Sequence, residues 1–231
     1  MVAETPGKVT KIQPLSPALV RKQIEVVCRD FPVTAVKTGL LCSADIVTAV
    51  AQQMVELADR AEHRIALVVD PVMVATSGTM LLRAGAIRLY EKELFPIATL
   101  VTPNVDEAAK LLGRSISDFA SMRKAGKELE ARYGVAILLK GGHLVGRQAV
   151  DLLFADDNVM DFQAPFIGDV ATHGTGCTFS AAITAGLAND LRMEDAVGRA
   201  KKFVTAAIAQ RFRWKSPSGE SIDALNHSPQ L

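Results

Sequence analysis

Apolar and polar positions alternate along this chain in two periods, and the switch between them divides it into elements. Pro17 follows Ser16, and Leu19, Val20, Ile24 and Val27 recur at helical spacing, so a helix is expected from Ser16 to about Asp30 with Ser16 as N-cap. A short strand is expected over 33–36, then a helix from Ser43 to about Ala61. Residues 65–69 form an unbroken apolar run of the kind a strand buried on both faces requires, and Asp70-Pro71 ends it. The alternation continues with a helix near 80–94, a strand near 99–101, a helix from Asn104, a helix near 117–133 and a strand at 135–139. Strands near 150–154 and 159–162 flank the polar turn Asp156-Asp157-Asn158 and read as an antiparallel hairpin at one edge. Helices near 175–189 and 193–211 follow. Repeated βα units predict an α/β fold: a doubly wound, mostly parallel sheet in three αβα layers, with a small antiparallel edge hairpin.

Length and composition narrow the class. The 231 residues suit one domain, 1–231, with a polar C-terminal tail over 215–231. Hydrophobic residues at 49% and charged residues at 22% fit a folded globular chain. Lys and Arg number 26 against 25 Asp and Glu, a net charge of +1, so neither nucleic acid nor an anionic membrane is an expected partner. Three cysteines, Cys28, Cys42 and Cys177, match no metal or disulfide spacing. With no export signal and no long apolar run, a cytoplasmic location is expected.

In open α/β sheets ligands bind beyond the carboxyl ends of the strands. That edge collects Lys37-Thr38-Gly39, Asp70-Pro71-Val72-Met73, Thr102-Pro103-Asn104, Lys140-Gly141-Gly142-His143 and Thr172-His173-Gly174-Thr175-Gly176-Cys177. Neither a Walker loop nor a dinucleotide fingerprint is among them. The segment from His173 to Thr178 opens a helix of small residues, so its unpaired N–H groups and dipole make an anion hole. A thiol in that first turn, Cys177, is expected to have a lowered pKa and could accept a proton, or it could simply be a small packing residue. Asn104 and Glu107 read first as a capping box, and also as a phosphate contact and a metal ligand on one helix face. Asp70 suits a metal or a turn before Pro71, and Lys140 a nucleotide or ordinary surface. His143 and His173 receive no chemical role.

Taken together, these five strings resemble, in order and spacing, the hydroxymethylpyrimidine and phosphomethylpyrimidine kinases of the ribokinase-like superfamily, and the ending Asp223-Ala224-Leu225-Asn226-His227 is similar to that family's C-terminus. The resemblance implies ATP- and Mg²⁺-dependent phosphorylation of a hydroxymethylpyrimidine and then of its monophosphate in thiamine biosynthesis. It implies Gly174, Thr175 and Gly176 as the anion hole, Cys177 as base, Asp70 and Glu107 at the metal, and Asn104 and Lys140 on the ATP side. Glu4 and Val72 would contact the pyrimidine, and homodimerisation is the assembly expected of such a chain. Relatives begin with a further βαβ unit, so on the order of 40 residues are expected to be missing at the N-terminus. Thr76 stands where many relatives carry Lys. Two other functions compete: a pyridoxal kinase, which shares the fold, and a non-catalytic ligand-binding relative.

Overall fold

A computed structural model describes residues 1–5, 8–61, 63–73, 81–82, 84–142, 144, 148–168, 170, 173–217, 219 and 221–230. Thr76, His143 and Thr172 lie outside the described residues.

The chain opens with an antiparallel hairpin, β1 (Val2–Thr5) and β2 (Lys8–Ile12), which its polar sequence did not announce. Helix α1 (Pro17–Asp30) follows, capped by the Ser16 hydroxyl, which accepts from the Leu19 N–H at 3.2 Å. Then come β3 (Ala35–Thr38), α2 (Ala44–Arg60), β4 (Ala66–Val69) and α3 (Ala84–Leu89), the last running into a π-helical turn over Tyr90–Leu94 and a 3-10 turn over Phe95–Ile97. Next are β5 (Leu100–Val101), α4 (Val105–Leu112), α5 (Phe119–Tyr133), β6 (Ala136–Lys140), β7 (Gln148–Ala155) and β8 (Asn158–Pro165). Helices α6 (Thr175–Ala188) and α7 (Met193–Ala209) precede a second hairpin, β9 (Phe212–Lys215) and β10 (Ser221–Ala224).

The central sheet has six strands in the order β3-β4-β5-β6-β7-β8. The first three ladders are parallel and the last two antiparallel, so the predicted hairpin does form one edge. The apolar runs are explained by burial on both faces. Leu67, Val69, Val101, Ile137, Leu139, Leu152 and Phe154 join a core with α2 to α5, whereas the intervening Val68, Leu100, Leu138 and Leu153 pack against α6 and α7. The result is three layers, with the crossover helices on one face as right-handed connections require. No described helix is long and apolar enough to cross a membrane.

The expected polar tail is a folded element instead. Asp223 in β10 is buried, and its carboxylate accepts from the Arg213 guanidinium at 2.6 and 2.9 Å, while Leu225 is also buried. A bidentate Arg–Asp pair and one apolar anchor fix a segment whose composition alone looks unstructured. Ser43 precedes α2 without capping it through its side chain, contrary to the sequence pattern.

Candidate active site

Three parallel strands deliver charged groups to one point. Asp70 follows β4, Lys37 lies in β3, and Lys140 ends β6. Asp70 is only 2% exposed. Its Oδ1 accepts from Lys140 Nζ at 2.8 Å and from the Thr102 hydroxyl at 3.2 Å. Its Oδ2 accepts from the Ser180 hydroxyl of α6 at 3.1 Å and faces Lys37 Nζ at 3.7 Å. Burial by itself would raise the Asp70 pKa, but the two ammonium groups and the Ser180 hydroxyl outweigh it and hold the carboxyl below its ordinary range. For Lys140, burial opposes the charge, while Asp70 and Glu107 more than restore it, so its pKa lies above the usual lysine value.

Helix α6 points its N-terminus at this cluster. Gly174 is its N-cap with φ of 86°, a left-handed conformation that glycine adopts without Cβ strain. A Cβ on Gly176 would come to 3.2 Å from Lys140 Nζ, so the helix start and the ammonium are in close approach. Cys177 in the first turn is open to solvent as a residue. Its thiol is nevertheless pushed up from its ordinary pKa, first by desolvation around the sulfur and then by the Asp70 carboxylate, with Lys37 and Lys140 opposing. The lowered pKa expected at a helix start is therefore reversed: desolvation of the thiol, with the Asp70 carboxylate beside it, raises the value instead.

Asn104 and Glu107 realise the capping box in full. Asn104 Oδ1 accepts from the Glu107 N–H at 2.8 Å, and Glu107 Oε2 accepts from the Asn104 N–H at 2.9 Å. Glu107 Oε1 also accepts from the Met73 N–H at 3.4 Å. Burial raises Glu107 to about 6, partly countered by Lys140 and by the Asn104 N–H. The box seats Asn104 beside Lys140, joined through the Lys140 N–H to the Pro103 carbonyl at 2.8 Å. Val72 lies in the turn after Asp70, its N–H donating to the Asp70 carbonyl at 2.8 Å. Glu4 in β1 reaches His173, immediately before α6, at 3.4 Å. The first hairpin thus stands at the mouth of the site.

Asp70, Lys140, Gly176, Cys177 and Glu107 are brought together as the sequence suggested. Sequence reasoning placed Lys37 and Thr102 in the strings at this edge without giving either a role, and did not name Ser180. Only Lys37 carried a signal: a lysine in an otherwise apolar strand, with Val36 turned to the opposite core, implies a reason to be inside.

The arrangement can bind an anion in front of α6, flank it with two cations, and offer carboxylates for a divalent cation. Mg²⁺ typically takes one or two protein carboxylates and completes its shell with water and phosphate. Glu107 fits, being a buried carboxylate whose raised pKa shows that its charge is not fully compensated. No group of three or more His, Cys, Asp or Glu residues suited to a metal occurs among the described residues.

The family model described as phosphomethylpyrimidine kinase matches residues 1–221. The chain is 41% identical over 227 residues to the thiamine biosynthesis bifunctional protein of Geobacter sulfurreducens, covering 98% of this chain and 44% of that protein. It therefore spans less than half the length of that relative. It is 40% identical over 220 residues to the hydroxymethylpyrimidine/phosphomethylpyrimidine kinase of Rhizobium meliloti, covering 95% of this chain and 80% of the relative. Among solved structures, the pyridoxal kinase of Bacillus subtilis in an ADP complex is similar, with a TM-score of 0.82 and 29% identity over 97% of this chain and 82% of that one.

Proposed function

The chain belongs to the phosphomethylpyrimidine kinase family, and from that premise we propose that it transfers the γ-phosphoryl group of ATP to the hydroxymethyl group of 4-amino-5-hydroxymethyl-2-methylpyrimidine, and then to the resulting monophosphate. The observation that carries the reading is the convergence of Lys37, Asp70 and Lys140 before the N-terminus of α6, because phosphoryl transfer asks chiefly for positioning and charge stabilisation.

In this reading the 174–177 segment holds the phosphoryl oxygens through backbone N–H groups, and Lys140 and Asn104 face the nucleotide. The substrate hydroxyl oxygen forms its bond to the γ-phosphorus while the bond to the β,γ-bridging oxygen breaks and ADP leaves. Cys177, in the first turn of α6, is the proposed base that takes up the hydroxyl proton as the new bond forms. Bound Mg²⁺, held by Asp70 and Glu107, would supply positive charge to the phosphate oxygens. Glu4 and Val72 are the proposed pyrimidine contacts, and a homodimer is the proposed assembly.

Pyridoxal is the second candidate substrate, favoured by the fold match to a pyridoxal kinase. The 40% identity to the hydroxymethylpyrimidine/phosphomethylpyrimidine kinase of Rhizobium meliloti outweighs it. The test is ADP formation by the purified chain with ATP, Mg²⁺ and each candidate in competition. Preferred turnover of the hydroxymethylpyrimidine supports the proposal, preferred turnover of pyridoxal replaces it, and turnover of neither leaves a non-catalytic ligand-binding role.

A further inference from the structure

Lys37 is the cation of the cluster that the roles above leave without work. Its side chain is 20% exposed, in the wall formed by β3. Its ammonium sits 3.7 Å from Asp70 Oδ2, beyond hydrogen-bond distance, whereas Lys140 binds the other oxygen of the same carboxylate at 2.8 Å. An ammonium carries three donors, and burying them without acceptors is costly. The head group lies close over Gly39, where an added Cβ would come to 2.9 Å from Lys37 Nζ. Its charge reaches Cys177 as well as Asp70, lowering the pKa of both. Lys37 and Lys140 thus flank Asp70 from two strands, and each has its ammonium against a glycine, Gly39 for one and Gly176 for the other. One lysine is neutralised by Asp70. The other is held nearby, with no hydrogen-bond acceptor for its ammonium among the described residues.

We infer that Lys37 is a second phosphoryl-binding residue, whose ammonium donates to an oxygen of the phosphoryl group in transit between the nucleotide and the substrate hydroxyl. The inference rests on the kinase reading of this same site. An arriving phosphoryl group supplies an acceptor that the described residues do not give Lys37. Charge spreads over the equatorial oxygens in the transition state, so a cation at this wall binds the transition state more tightly than the ground state. A purely supporting role would instead confine Lys37 to keeping Asp70 ionised.

The two roles separate by turnover and by anion binding. Lys37→Met keeps the aliphatic stem and removes the charge. Its turnover number is expected to fall about 10²- to 10³-fold, as for loss of one preorganised transition-state donor. The kcat/KM should fall in the same proportion, as for an interaction made only in the transition state. Gly39→Ala keeps the charge and displaces the ammonium, and is expected to give a smaller loss of the same kind. Circular dichroism and melting temperature establish that both variants fold. Alongside, stabilisation of each protein by millimolar inorganic phosphate is read as a rise in melting temperature, and it should be weaker in both variants than in the wild type. Turnover and phosphate stabilisation equal to wild type overturn the inference while leaving the kinase reading intact. A wild type that turns over no candidate substrate but loses phosphate stabilisation on Lys37→Met overturns the kinase reading and keeps Lys37 as an anion ligand.

Discussion

Two buried lysine–aspartate pairs sit on this sheet, and they differ in what surrounds them. Lys201 of α7 bonds Asp151 of β7 at 2.6 Å, and the other Asp151 oxygen accepts from the Gly141 N–H at 3.0 Å. Both residues are nearly inaccessible, at 7% and 3% exposure, so the pair is closed. Lys140 bonds Asp70 at 2.8 Å at similar depth, but a second lysine, a titratable glutamate, a thiol and a helix N-terminus crowd the same carboxylate. The first pair satisfies itself and ties α7 to the sheet. The second holds more polar groups than it can pair internally, which is what a site awaiting a charged ligand requires. Burial of an ion pair therefore says little about function; surplus donors and acceptors around it say more.

The largest expected effect tests the closed pair. Lys201→Met leaves the Asp151 carboxylate buried without its cation and should destabilise the protein by about 3–5 kcal/mol in urea unfolding, with turnover per folded molecule kept. Asp70→Asn should do the reverse. Phosphoryl transfer is expected to fall about 10²- to 10³-fold, with a smaller stability loss, because Lys140 retains Glu107 as a neighbour. If both variants lost stability and activity alike, the distinction between the two pairs would collapse.

A smaller effect is expected from pH. Glu107 is raised from 4.5 to about 6, so the folded state binds its proton more tightly than the unfolded chain. The stability this contributes is fully present below the unfolded value and is lost as pH rises through about 6, a difference of about 2 kcal/mol. Glu107→Gln should flatten that slope in urea titrations. Since an ionised Glu107 is the form that holds a cation, activity should decline as pH falls through about 6, and excess Mg²⁺ should move the decline to lower pH. The smallest effect concerns the loop after Lys37, where Cys42 adopts φ of 48°, a conformation that costs a non-glycine residue about 1–2 kcal/mol. Cys42→Gly should raise stability by about 0.5 kcal/mol in thermal unfolding, less than the full strain because Cys42 also packs against the core. Strain there, against none needed around Asp151, would place another cost on the open side.

The βα order was readable because each parallel strand had to be apolar on both faces. Residues 65–69 and 135–139 could be nothing else, and they appear as Ala66–Val69 and Ala136–Lys140. The capping box was equally local, since Asn104 and Glu107 meet within one turn whatever the rest of the chain does. The two terminal hairpins were not readable. Their residues are polar and their stability comes from contacts such as Arg213 with Asp223, made only after the chain has turned back on itself.

The site divides in the same way. Asp70, Lys140, Glu107 and the 174–177 segment were singled out in the sequence by their places after buried strands and at a glycine-rich helix start, but cap, turn and surface readings stood beside each, and their roles came from the family resemblance. Tertiary structure alone decided that Lys37, Thr102 and Ser180 meet Asp70, since their separations of 33, 32 and 110 residues along the chain are closed only by stacking strand on strand and laying α6 across them. It also decided that the Cys177 pKa is raised rather than lowered, because a helix start alone favours the thiolate and only the folded chain desolvates the thiol and places the Asp70 carboxylate beside it.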